Sequence, residues 1–379
     1  MNTEQLLGLV RRLVQDDQRL ALQQKLTEAA QSFANLASNP QAQQHQTEVS
    51  DKLKQLEQAL SKLETSYSPA FRIRLEIIGA LPYFSTAMTA RLRQSMNDNP
   101  MSPAVVNQEA QKLVAERQNY LNNLTNLRGS LDALGFELDE LQPGQAEVGF
   151  QIPRAIFDND LDGFARELHE LRLIIRAFSE AAGNTGESIE LRQISTTDPL
   201  VFVMLGYGTV KLLGQGASWC LDQWKKLEEI RNIRATTANL KGVPDAKSLA
   251  ERFDTLIQET LEANVRKEAE RLASESGSPG PRQNELANHL GMALQGMLAR
   301  IERGMTVEIR FLPPAKATEG EADTAADGPA ADFEELKKLQ QQLVFPAPAD
   351  EPLLKLPKQP EEASQKKGHG KDDGAVAPA

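Results

Sequence analysis

The sequence predicts an α+β fold, mostly helical: an N-terminal helical hairpin or bundle, a small sheet of about four strands packed with long helices, and a disordered tail. Three observations predict it. Apolar residues in three–four spacing fill residues 1–135. Short alternating segments, "EVGFQIP", "SIELRQIS" and "TVEIRF", are separated by helical periodicity within residues 136–312. From Pro313 the chain turns to Ala, Pro, Glu, Asp and Lys, a composition that buries too little surface to offset its ordering entropy. These ranges are the expected domains: a helical bundle or coiled coil (1–135), an α+β domain (136–312) and a tail (313–379).

Leu6, Val10 and Leu13 open an amphipathic helix expected to run to the Asn39-Pro40 break. A second carries Val49, Leu53, Leu56, Leu60, Leu63 and Tyr67. A third follows Pro69 with Ile78, Leu81, Met88 and Leu92, kinked at Pro82. The most regular seam follows: Val106, Ala110, Leu113, Arg117, Tyr120, Leu124, Leu127, Leu131 and Leu134. Such a seam must be buried against another helix. An internal antiparallel bundle, favoured by the short connecting loops, and a coiled coil joining two chains both satisfy it.

In the central region Val148, Phe150 and Ile152 share one strand face, and Ile189 and Leu191 alternate with Glu190 and Arg192. Leu200 to Leu205 has no alternation, as expected for a strand covered on both faces. Ser195 to Pro199 is turn chemistry. A helix from Asp160 presents Leu161, Phe164, Leu168, Leu171, Ile175 and Phe178 and stops at Gly183-Asn184. Val210, Leu213, Ala217, Cys220, Trp224 and Leu227 form another seam, while Lys225, Glu229 and Arg231 are expected to face solvent or a partner and to tolerate Ala within about 0.5 kcal/mol, with Lys225 and Glu229 as a weak pair. Further helices are expected over Ala246–Ala273 and Gln283–Arg303, then a last strand with Val307, Ile309 and Phe311. Within the tail, Phe333 to Leu343 is read as a transient helix, and a solvated tail is favoured over a specific docking motif.

The composition bounds the function. Among 379 residues, 42 Lys and Arg stand against 53 Asp and Glu, a net charge of −11 that disfavours generic binding to nucleic acid or anionic lipid. A hydrophobic share of 40% with only 5% aromatic residues suits helix packing by aliphatic side chains. The single cysteine, Cys220, excludes an intrachain disulfide and suits a reducing compartment. The opening "MNTEQLLGLVRRLVQDDQRL" lacks a signal peptide's order of segments, so a cytoplasmic location is expected.

Segments that imitate chemical motifs fail on their own requirements. Asp158 to Gly163 matches the first half of a calcium loop, but His169 stands where a bidentate Glu is needed and Arg166 where another ligand belongs. Gly206, Gly208, Gly214 and Gly216 fit neither phosphate-loop pattern, because Lys211 replaces the required Gly and is followed by Leu212. His169-Glu170 has Leu173 where a zinc protease needs its second His. The histidines, at 45, 169, 289 and 369, fall in separate segments. No catalytic, cofactor-binding or metal-binding residue is assigned, and no cofactor is expected.

Leu200 to Leu221 reaches the length of a bilayer span. Lys211 at its middle, Pro199 before it and its glycines favour a buried strand and helix start instead.

The segments "IPRAIF", "ELHELRLIIRAFSEA", "IELRQISTTDP" and "WKKLEEIRNIRA" resemble a pattern in uncharacterised bacterial proteins, over about residues 147–235. The resemblance attaches no activity and transfers no functional residue. It implies a bacterial source and, because such proteins are carried among accessory genes, a component of a phage-defence (antiviral) system.

The expected function is that of a non-catalytic bacterial cytosolic interaction or scaffold protein working through helix–helix contacts. The seams expected to carry it are Val106, Leu113, Tyr120, Leu124, Leu127 and Leu131, and Val210, Leu213, Trp224 and Leu227. The expected partner is a protein or a second copy of the chain, with nucleic acid and membrane not favoured and no metal. The alternative is a membrane-acting effector that exposes residues 200–221 when triggered.

Overall fold

A computed structural model describes residues 3–137, 141–186, 188–195, 199–238, 246–276, 280–313, 328–347, 352 and 354–356, with side chains excepted at 233–256, 280–281 and 328–332. The fold is α+β and mostly helical, with one small antiparallel sheet.

The first predicted helix is two. Helix α1 (Thr3–Leu20) and helix α2 (Leu22–Ser38) are hinged at Ala21, whose φ of 49° is left-handed and cannot continue a helix. The Asp17 carboxylate accepts the Gln23 N–H at 3.2 Å and so supports the start of the second segment. Helix α3 (Gln43–Ser66) buries Val49, Leu53, Leu56, Leu60 and Leu63 as its spacing predicts. Ser68 caps helix α4 (Pro69–Ile77) by accepting the Phe71 N–H. Pro82 does not kink one helix. The chain stops at Gly79, with φ 68°, makes a short 3₁₀ turn over Leu81–Tyr83, and restarts as α5 (Ala87–Asp98). The long α6 (Pro103–Ala133) then packs along α2, which also packs on α3. One core, from Leu9 to Leu124, unites these helices.

The second part holds β1 (Ala146–Gln151), α7 (Leu161–Ala181), β2 (Glu190–Ser195), β3 (Leu200–Met204), α8 (Tyr207–Ala238), α9 (Ala246–Glu275), α10 (Gly280–Glu302), β4 (Thr306–Phe311) and α11 (Gly328–Gln342). The four strands run in the order β2-β3-β1-β4. Val148 lies opposite Val203 and Ile309, and Phe150 opposite Val201 and Val307, which makes one face of the sheet apolar. Helices α7 to α10 build the core with that face. The expected alternation of β2 is interrupted by a bulge between Leu191 and Gln193, so Leu191 and Ile194 pair with Val203 and Val201 and share a face. Asp160 caps α7 through the Gly163 N–H at 2.8 Å, and Gly183, at φ 79°, follows its C-terminus. Leu161, placed on the apolar stripe by spacing, is exposed at the first residue of α7.

The expectation of a solvated tail from Pro313 fails for part of that segment. Helix α11 buries Leu336 and Leu339 in the second core, Leu343 just past its end joins them, and Phe345, Leu354 and Leu356 pack against that core. This core therefore extends to Leu343, past the boundary expected at 312. The three–four spacing of those leucines supplies an apolar face despite the poor composition around it. Residues 314–327 and 357–379 lie outside the described residues.

Candidate interaction surface

The two predicted seams are inside the protein and belong to different cores. Val106, Leu113, Leu124 and Leu131 of α6 are buried, and Tyr120 and Leu127 are half-buried against the helices of the N-terminal core. Val210, Leu213, Trp224 and Leu227 of α8 are all buried, the first three within the second core. Cys220 shares that core, where burial pushes its thiol up. The apolar stretch Leu200 to Leu221 is divided between β3 and α8. Among the described residues, no helix is long and apolar enough to cross a membrane. Neither seam is a free surface.

Arg117 is the polar member of the α6 seam. It is fully buried, 2.8 Å from the Asp17 carboxylate, and donates to Gln23 and to the Tyr83 carbonyl over the Phe84 ring. Burial pulls the guanidinium down from its ordinary value, and Asp17 opposes that. In the second core Arg300 makes a two-pronged contact with Glu167, at 2.6 and 3.1 Å. Arg231 is not the dispensable surface charge expected: its Nη2 lies 3.1 Å from the fully buried Glu302. Lys225 approaches Asp222 rather than Glu229.

The second face of the sheet is charged. Glu147, Glu308 and Arg310 share it with Phe202, over whose ring the Arg310 guanidinium lies at 3.9 Å. Arg74, from α4, joins Arg310 on the Glu308 carboxylate. Burial opposes the Glu308 charge, but Arg310 and Arg74 outweigh it and draw the carboxyl down to about 2. At Glu147 burial wins over Arg310 and Arg192, and its carboxyl is pushed up. Every group here is engaged by a partner from the same protein, so the network joins the N-terminal helices to the sheet.

The surface that holds a ligand-like element is the groove of α8 and β4. Helix α11 lies in it parallel to α8, because Lys211 and Ser218 meet Glu335 and Gln342, a heptad step on each helix. Lys211 Nζ is 2.7 Å from Glu335. The Phe333 ring packs between Tyr207 and Phe311, at centroid distances of 5.4 and 5.6 Å. Leu339 lies over Gly214, where a Cβ would be 3.4 Å from its Cδ1 and 2.8 Å from that of Ile309. A larger residue there would have to push the Ile309 side-chain end aside, so the glycine favours this close approach of the two helices and the strand. Gln340 donates to the outward carbonyl of Ile309 at 2.7 Å, covering an edge that would otherwise be open, and Gln341 donates to the Tyr67 carbonyl at the end of α3. Beyond α11 the Leu354 N–H donates to Glu302 and its carbonyl accepts from Arg303.

The sequence signal for this surface was the spacing Phe333, Leu336, Leu339, Leu343, outweighed by the composition around it. Among the described residues no group of three or more His, Cys, Asp or Glu is placed to hold a metal ion. Asp160 is engaged as a helix cap and Asn159 by Arg154. No protein-family model, curated protein or solved structure matches the chain.

Proposed function

We propose that the protein is a non-catalytic interaction or scaffold protein that works through helix-on-helix contacts. The observation behind this reading is the seating of α11, an amphipathic helix held in a groove by apolar side chains at helical spacing and by charges at its rim. That is one of the recurring ways in which proteins recognise peptides. Because the α6 and α8 seams are spent on internal packing, the partner contact moves to this groove. The bacterial source and a part in phage defence are proposed from the resemblance of the central segments alone, and the cytosolic setting from the opening residues and the single cysteine.

Photo-crosslinking in cells expressing the full chain tests the reading. A photoreactive residue at Ser218 or Lys338, on the groove and on α11, is compared with one at Arg266, exposed on α9. The expected result is a protein adduct from the groove positions and none from Arg266. No protein adduct from any position would remove the interaction role.

A further inference from the structure

We propose that the α8–β4 groove is a helix-recognition site which α11 occupies in cis, exchangeably, and that a partner occupies it with an amphipathic helix of the same chemistry. This rests on the interaction role proposed above and adds what the partner carries. Its helix runs parallel to α8, with an aromatic residue, then an acid two positions on, then Leu at the next position and again three and seven positions after that. This is the pattern Phe333, Glu335, Leu336, Leu339 and Leu343.

Four features carry the inference. First, α11 adds no backbone hydrogen bond to the sheet or to α8 among the described residues. Its polar links are made by side chains, namely Glu335, Gln340, Gln341 and Gln342. Departure of the helix therefore breaks no ladder, and the one sheet carbonyl it covers, that of Ile309, would meet water. Second, α11 has 15 residues, a length at which an isolated helix is still marginal in water, so its order is completed by docking. Third, its apolar face is narrow and its other face carries exposed Lys337 and Lys338, a surface suited to life in both states. Fourth, the groove is specific: Lys211 at the rim selects an acid, Gly214 admits a close-lying leucine, and Tyr207 with Phe311 receives an aromatic ring. A tethered occupant of this kind sets the threshold that a partner helix must exceed, because tethering raises its effective concentration.

The experiment uses the full chain with a protease site placed within residues 318–324. A fluorescent peptide of residues 328–356 is added before and after cleavage, and its uptake is followed by anisotropy. The cut protein is expected to take up the peptide, and the uncut protein to do so at least tenfold more weakly. Leu339→Asp in the peptide should abolish uptake. Lys211→Glu in the protein should weaken it at least fivefold, and Glu335→Lys in the peptide should restore it. Failure of the cut protein to exchange while its circular dichroism stays native would overturn the inference and make α11 a permanent core element. Uptake indifferent to Leu339→Asp would overturn the recognition pattern. Exchange without any protein adduct in cells would leave the groove standing and remove the interaction role; adducts at Ser218 or Lys338 without exchange would keep the interaction role and overturn the displacement of α11.

Discussion

Arg74 and Glu308 meet across the junction of the two cores, with Arg74 Nη1 donating to Glu308 Oε1 at 3.0 Å and Nη2 to the other oxygen. One comes from the short helix after α3, the other from the last strand, and Arg310 completes the pairing. A carboxyl moved from about 4.5 when unfolded to about 2 when folded contributes stability that is fully present above the unfolded value. That contribution, about 3 kcal/mol, is lost as pH falls from 4.5 through 2. Glu308→Gln should therefore lower the unfolding free energy by about that amount at pH 7 and by little at pH 2. Urea unfolding at the two pH values checks it.

Glu147, on the same face, should behave oppositely. Its folded carboxyl is pushed up by burial, so folding disfavours its charged form, and the stability its protonated form lends is lost as pH rises through its folded value. Glu147→Gln keeps an acceptor for Arg310 while removing the buried charge. Its unfolding midpoint at neutral pH should equal or exceed that of the wild type. A fall as large as that of Glu308→Gln would show that the Arg310 and Arg192 contacts outweigh burial.

Phe202 is held between Gly149 and the Arg310 guanidinium. A Cβ at position 149 would lie 2.3 Å from the ring, a distance that forces the ring to move. Gly149→Ala should destabilise by about 1–3 kcal/mol, the usual cost of overpacking. The Phe202→Leu background, with a smaller side chain, should recover part of that loss in a double-mutant cycle.

Trp224 is buried in the second core, and its truncation to Ala should cost about 3–5 kcal/mol. The neighbouring charges divide. Lys225→Ala should stay within about 0.5 kcal/mol, because the side chain is half-exposed and its Asp222 contact is weak. Arg231→Ala should cost about 1–3 kcal/mol, because it removes a partner from the buried Glu302. Denaturant unfolding of the single mutants separates them.

The Trp224 helix shows what was legible in the sequence. Its seam repeats every three or four residues, a pattern that outlasts the competing bilayer-length apolar signal of Leu200 to Leu221, and each member is buried where the spacing puts it. Arg231 was not legible, because its partner Glu302 lies on another helix and periodicity says nothing of which charged faces meet. The same holds for Arg74 and Glu308. Ala21 also gave no warning: alanine favours helix, yet its backbone is left-handed between α1 and α2. The α8–β4 groove was hidden for a different reason. Its occupant has the right spacing, but a composition of Ala, Pro and charge surrounds it, and average composition outweighed the local pattern.

The last prediction separates α11 from the two cores. Leu336 is fully buried between α11 and the groove, and Leu336→Asp places a charge there that finds no partner among the groove contacts described. If α11 were an integral core helix, the damage would spread, and global stability would fall by several kcal/mol, as for other buried charges. Held in place chiefly by side-chain contacts, the helix should instead come away alone. Amides of residues 334–342 should lose hydrogen-exchange protection, while those of Val148, Phe150 and Leu213 keep theirs. The Trp fluorescence unfolding midpoint should shift little. Lys337 and Lys338, exposed on α11, should become faster sites for trypsin, since cleavage needs the helix unwound. Loss of protection in β1 and α8 together with α11 would show that the groove and its occupant form one cooperative unit.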